Sequence, residues 1–128
     1  MSAAAKGAPK VLLVDDDSLV RIACTRSLNA CGYHVIVATD GEGAWEQLRS
    51  EVFDLLITDH KMPKLTGLSL IRRIRDANMK VPSILISGNL PIDEPDLHTL
   101  VQPGRFLQKP FELANLLSLV DGLIKMPN

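Results

Sequence analysis

From Lys10 onward the chain alternates between two spacings of apolar residues. Short β-branched or aliphatic runs appear at KVLLVD, HVIVAT, DLLIT, PSILIS and RFLQK. Continuous runs of this kind suit strands covered on both faces, as in a parallel sheet, rather than strands with one wet face. Between them apolar residues recur at helical spacing. Leu19, Ile22, Ala23, Leu28 and Cys31 fit one helix face, and Ala44, Trp45 and Leu48 fit a second. Leu68, Leu70, Ile71 and Ile74 fit a third, which directs Arg72, Arg73 and Arg75 to water. A last helix over 111–125 carries Leu113, Leu116, Leu117, Leu119, Val120, Leu123 and Ile124, more apolar surface than one buried face requires. The fourth helix is the weak one, because prolines at 91, 95 and 103 confine it to about Pro95–Val101. Five strands alternating with five helices, the fourth short or distorted, make a doubly wound α/β sheet. In such sheets ligands bind beyond the carboxyl ends of the strands.

Composition narrows the function more than the fold. The chain has 128 residues, 46% hydrophobic and 23% charged, which suits one domain with a single core. The expected division is a tail over residues 1–8 and a globular domain over 9–126. A formal charge of −1 gives no electrostatic case for binding nucleic acid or an anionic membrane. No apolar stretch approaches the roughly 20 residues that span a bilayer, and MSAAAKGAP lacks the apolar middle of a signal peptide, so a cytoplasmic location is expected. Cys24 and Cys31 lie about 10 Å apart along one helix, too far for a disulfide, and read as buried small hydrophobes.

The chemistry collects at the strand ends. The first strand runs into Asp15, Asp16 and Asp17; the third ends at Asp59, the fourth at Ser87 and the fifth at Lys109. Each alone suits a helix cap, a turn or a solvated surface. Together on one edge they suit a hard divalent cation with oxygen ligands, and one that keeps several waters points to Mg²⁺. Carboxylates with a cation, an amine and a hydroxyl form a cradle for a phosphoryl group, whose transfer rests on positioning and charge neutralisation. Asp59, isolated from the triple run, is the natural nucleophile to form an acyl phosphate. His34, His60 and His98 are scattered without an i, i+4 pair and do not suggest a metal site; His60 is expected to point away from the acceptor. Trp45 reads as a packing residue.

VLLVDDDSLVR, DLLITDHKMPKLTGL, PSILISG and FLQKPF, in this order and spacing, resemble the receiver domain of two-component response regulators over essentially the whole globular part. The resemblance implies a flavodoxin-like sheet of strand order 2-1-3-4-5. It implies Asp59 as phosphoacceptor, with Mg²⁺ held by Asp16 directly, by Asp15 mainly through water, by Asp59 and by the backbone carbonyl of Lys61. Asp17 falls just outside the pair. Ser87 matches the switching hydroxyl, Lys109 the lysine that pairs with the phosphoryl group, and Lys109–Pro110 a cis bond. Met62, Pro63 and Gly67 match the loop after the acceptor, with Gly67 opening the third helix. The implied donor is a histidine kinase or histidine phosphotransfer protein, small phosphodonors such as acetyl phosphate also serving, and the receiver catalyses its own transfer.

The sequence departs from the family pattern at several positions. Phe106 stands where a switching aromatic is often Tyr, so it fills a pocket without offering a hydroxyl. Gly88 replaces a more usual Ala. Lys61 and Asn89 occupy positions that tune the water hydrolysing the phosphoaspartate, which motivates the expectation of a longer-lived phosphorylated form than in chemotaxis-type receivers. Two other readings compete. A haloacid-dehalogenase-type phosphatase would use Asp15 as nucleophile, but its motif requires Thr or Val where Leu19 stands, and no cap domain is present. A receiver-like interaction module would bind partners without phosphate. In the favoured reading the chain acts through an unidentified downstream protein, and the exposed remainder of the last helix offers a surface for a partner or a homodimer.

Overall fold

The computed structural model describes residues 7–89 and 97–125. Five parallel strands, β1 (Lys10–Val14), β2 (His34–Ala38), β3 (Leu55–Asp59), β4 (Ser83–Ser87) and β5 (Gly104–Gln108), form one sheet in the order β2-β1-β3-β4-β5. They alternate with α1 (Ser18–Ala30), α2 (Gly41–Ser50), α3 (Gly67–Asp76), α4 (Leu97–Val101) and α5 (Leu113–Ile124). Residues 1–6 of the expected tail, and Pro91 and Pro95, lie outside the described residues; α4 is described over Leu97–Val101, five residues. Among the described residues no helix is long and apolar enough to cross a membrane.

The strand period of two divides the core into two layers. Leu12, Val14, Leu56 and Leu85 face a cluster completed by α2, α3 and α4. Val11, Leu13, Leu55, Ile57, Ile84 and Ile86 face one completed by α1 and α5. The central strands β3 and β4 are buried at every position. The edge strands are not: His34 and Val37 of β2 and Arg105 of β5 are exposed, because an edge strand is covered by fewer helices.

The buried face of α1 differs from the expected one. Val20, Cys24 and Leu28, spaced at i, i+4, i+8, pack on the sheet, while Leu19 is 76% and Ile22 49% exposed and Ala23 and Cys31 also face out. Helical spacing allowed either face, since α1 carries apolar side chains on two sides; contact with Val11 and Leu13 selects the one with the small thiol. Burial raises the Cys24 thiol to about 11, the charge of Asp15 adding to the effect.

Arg73 and Arg75 of α3, both expected in water, are engaged with other elements of the fold. Arg73 lies over the Trp45 ring, 5.5 Å from its centroid, and 3.4 Å from Glu42, tying α3 to α2. Arg75 is drawn inward. Its Nε donates to Leu100 O (2.8 Å), Nη1 to Met79 O (3.1 Å) and Val81 O (2.9 Å), and Nη2 to Val101 O (3.2 Å) and Ser83 Oγ (3.4 Å). Burial lowers its pKa, yet five acceptors and the favourable position of a cation at the C-terminal carbonyls of α4 hold it there. Periodicity sees only that Arg is polar, not that five oxygens wait at the seam of α3, α4 and β4. A second tight contact closes this seam: a Cβ on Gly104 would lie 2.1 Å from Ser83 O and 2.4 Å from Val101 O, so only glycine lets β5 start there.

Replacing Arg75 with Met should lower unfolding stability by about 2–3 kcal/mol, read from the urea midpoint, because several buried carbonyls lose their donor. A midpoint unchanged from wild type would show that these bonds add nothing. Thiol titration of the native protein at neutral pH should modify Cys31 promptly and Cys24 only on unfolding; two fast thiols would contradict the burial of Cys24.

Candidate functional site

Register brings the chemical groups to one rim. Val14 pairs with Thr58, which sets Asp15 and Asp59 side by side just beyond the paired positions. Asp59 pairs with Ile86 and Ser87 with Gln108, so Ser87 and Lys109 follow at the same level. The backbone N–H of Lys109 donates to Ser87 O at 3.0 Å, extending the ladder one residue to the cis Lys109–Pro110 bond. A second cis bond, Gln102–Pro103, went unread in the sequence.

Asp15, Asp16 and Asp59 each offer a carboxylate oxygen within 4.8 Å of the others. Asp15 and Asp59 are buried and Asp16 is exposed. Lys109 Nζ lies 3.1 Å from Asp59 Oδ1. Three carboxylates against this one contacting ammonium leave two negative charges uncompensated. The consequence shows at Asp15, whose pKa is raised above the usual carboxylate range by burial, with the charges of Asp59 and Asp16 adding, although the Asp17 N–H donates to it at 2.9 Å. Burial alone would lower the Lys109 pKa; its hydrogen bond to Asp59 and the charges of Asp59, Asp15 and Asp16 prevail and raise it. A hard dication with oxygen ligands fits this excess of negative charge and this donor set.

The flanking residues divide by role. Asp17 turns away from the cluster and caps α1, accepting from Leu19 N (2.9 Å) and Val20 N (3.4 Å). The Ser87 hydroxyl donates to Asn89 O at 2.6 Å and accepts from Asn89 N at 3.1 Å, so Asn89 holds it by its backbone. Phe106 is half-buried against the α2–α4 side of the core, and Lys61 is exposed. His60 directs Nδ1 to the Leu68 N–H (3.3 Å) and accepts from Gly67 N through its carbonyl (2.9 Å), so it steadies the start of α3. Met62 is buried and touches Thr58 Oγ1, whose hydroxyl donates to Asp59 O at 2.9 Å.

Gly67 is more constrained than an opening residue of a helix needs to be. A Cβ there would lie 2.3 Å from the carbonyl oxygen of Asp59, so the first turn of α3 presses on the backbone at the end of β3. The supporting parts of Thr58, His60 and Arg21, whose Nη1 donates to Asp15 O at 2.8 Å, carried no readable sequence signal, because each acts on a backbone group brought near by folding.

The chain belongs to the response regulator receiver domain family, whose model matches residues 11–121. Response regulator MprA of Mycobacterium ulcerans is 34% identical over 116 residues, 91% of this chain and 50% of the relative; the chain thus spans about half the length of the MprA relatives it matches. Response regulator receiver protein CpdR of Brucella abortus is 30% identical over 115 residues, 90% of this chain and 96% of the relative. Among solved structures, response regulator TrrA of Thermotoga maritima in complex with Mg²⁺-BeF superimposes with a TM-score of 0.80 at 26% identity, covering 90% of this chain and 98% of that one.

Gly67→Ala should destabilise the fold by about 1–3 kcal/mol, because the added methyl meets backbone that cannot yield as a flexible side chain would. Calorimetric melting of the variant checks this, and an unchanged Tm would show that α3 shifts freely.

Proposed function

We propose that Asp59 accepts a phosphoryl group from a histidine kinase or histidine phosphotransfer protein and that the resulting aspartyl phosphate changes which protein the domain binds. The observation that carries this reading is the 3.1 Å contact of Lys109 with Asp59, the member of the carboxylate cluster on the central strand β3. Asp15, Asp16, Asp59 and the carbonyl of Lys61 would hold Mg²⁺, which when bound supplies charge neutralisation to the phosphoryl oxygens. The domain is proposed to span residues 9–126 and to act in the cytoplasm.

The chain's own groups account for the rest. An oxygen of Asp59 bonds to phosphorus as the P–N bond of the donor's phosphohistidine breaks. Lys109, already charged beside Asp59, neutralises the transferred group. The Ser87 hydroxyl must release Asn89 O before it can donate to a phosphoryl oxygen, which gives the switch its moving part. Phe106 then fills space without adding a hydrogen bond. Lys61 and Asn89 tune hydrolysis. The carboxylate of Asp15 is already engaged by the Asp17 N–H and lacks the lysine contact, which favours Asp59 over Asp15 as nucleophile.

A phosphodonor protein has a surface to meet. A groove of about 500 Å³ between α1 and the start of α5 is lined by Val20, Ala23, Cys24, Phe111 and Leu113, with Lys109 at its edge. Leu19 and Ile22 are exposed on the same helix. Apolar contacts there would bring a donor histidine near the acceptor.

Incubation with acetyl phosphate and Mg²⁺ should add one phosphoryl group to the wild type, located at Asp59 by mass spectrometry, and none to Asp59→Asn. Labelling of Asp59→Asn equal to wild type would refute Asp59 as acceptor. Chelation of Mg²⁺ should abolish labelling. Lys109→Ala should still be labelled but fail to signal; normal signalling by this variant would remove the lysine from the switch.

A further inference from the structure

We infer that Arg21 is a positioning residue for the acidic cluster, holding the Asp15–Asp16 peptide so that both carboxylates converge on one cation. The inference rests on the reading of Asp15, Asp16 and Asp59 as a Mg²⁺ site. Arg21 is the fourth residue of α1, where a cation opposes the positive end of the helix dipole, and the acidic group at that end is the Asp17 carboxylate, which is engaged in capping Leu19 N and Val20 N. A position that breaks a local rule invites a search for what compensates it. Here the side chain reaches back past the start of the helix, and Nη1 donates to Asp15 O at 2.8 Å.

That bond closes a set of restraints on Asp15. Its N–H donates to Ala38 O at 3.3 Å, a long bond. Its carboxylate accepts from Asp17 N at 2.9 Å. Its carbonyl accepts from Arg21. The first two fix the nitrogen and the side chain; the third fixes the orientation of the peptide leading to Asp16. Because Asp16 is exposed, packing does little to hold its carboxylate toward Asp15 and Asp59. Rotation of the Asp15–Asp16 peptide would carry it away, and repulsion among the carboxylates favours that rotation whenever no cation is present. Arg21 opposes it through a half-buried, charge-assisted bond to the carbonyl, leaving every carboxylate oxygen of the cluster free of the guanidinium's competition at that contact. A residue acting this way alters the affinity for the cation without touching it.

The test is calorimetric titration of the full chain with MgCl₂, with thermal melting in parallel. Wild type should bind Mg²⁺. Arg21→Met, which keeps the stem and removes the donors, should raise the Mg²⁺ Kd by about tenfold while melting cooperatively within a few degrees of wild type. Arg21→Lys, which restores one donor, should recover part of the affinity. In the metal-free protein the Asp16 amide resonance should move in Arg21→Met and move back in Arg21→Lys. If wild type binds and Arg21→Met binds within about twofold of it, the positioning role is wrong although the metal site stands. If affinity falls only in step with a large loss of Tm, and Arg21→Lys restores neither, Arg21 merely supports the fold and the inference fails. If wild type itself binds no Mg²⁺, the reading of the site falls and this inference with it.

Discussion

Mutual repulsion among carboxylates gathered at the rim of a buried sheet is the constraint around which this domain is arranged. Asp15 and Asp59 are out of water and lie beside Asp16, with Lys109, among the described residues, in direct contact to balance them. Left alone, such a cluster would separate or take up protons, and the raised pKa of Asp15, caused first by burial, records that tendency. Much of the neighbouring structure acts to stop the separation. The parallel register fixes the ends of β1 and β3 at one level, Thr58 and Gly67 engage the Asp59 carbonyl from two sides, and Arg21 holds the Asp15 carbonyl. These restraints act mainly on the backbone, which leaves carboxylate oxygens available for a ligand.

Ser87 and α4 are held less tightly than Asp59. Among the described residues the Ser87 hydroxyl is bonded only to the backbone of Asn89, a partner it can exchange without disturbing the β4 ladder. Beyond it the chain passes to α4, a helix of five residues, too short to be stable by its own hydrogen bonds. Its position depends on Leu97 and Val101 entering the core and on Arg75 binding the carbonyls of Leu100 and Val101. The firmly held Asp59 backbone and the lightly held α4 are thus complementary properties of one sheet.

The acceptor site was legible because its chemistry is carried by residue types that fit poorly elsewhere. Asp15, Asp16, Asp59, Ser87 and Lys109 each follow an aliphatic run, and a parallel sheet leaves those ends together. The supporting residues were not legible. Arg75 and Arg21 look like ordinary solvated cations, Thr58 like a strand residue and His60 like a bystander, because their targets are backbone oxygens and amides that bear no side-chain signature. The buried face of α1 was misread for a related reason. Two apolar stripes share that helix, and contact with the sheet buries Val20, Cys24 and Leu28 and leaves Leu19 and Ile22 exposed.

The amino-acid sequence by itself determined the alternation of strands and helices, the shortness of α4, the single-core size and the identity of the groups at the strand ends, since each follows from spacing, proline placement or side-chain chemistry acting over a few residues. Only the tertiary structure decided which face of α1 is buried, that Arg73 meets Trp45 and Arg75 turns inward, how near Gly67 comes to Asp59, and that Ser87 is bonded to Asn89. These depend on distances between segments remote in the chain, or between a side chain and a backbone turned toward it. Local periodicity carries no record of such distances, because they are set by how the helices settle on the sheet.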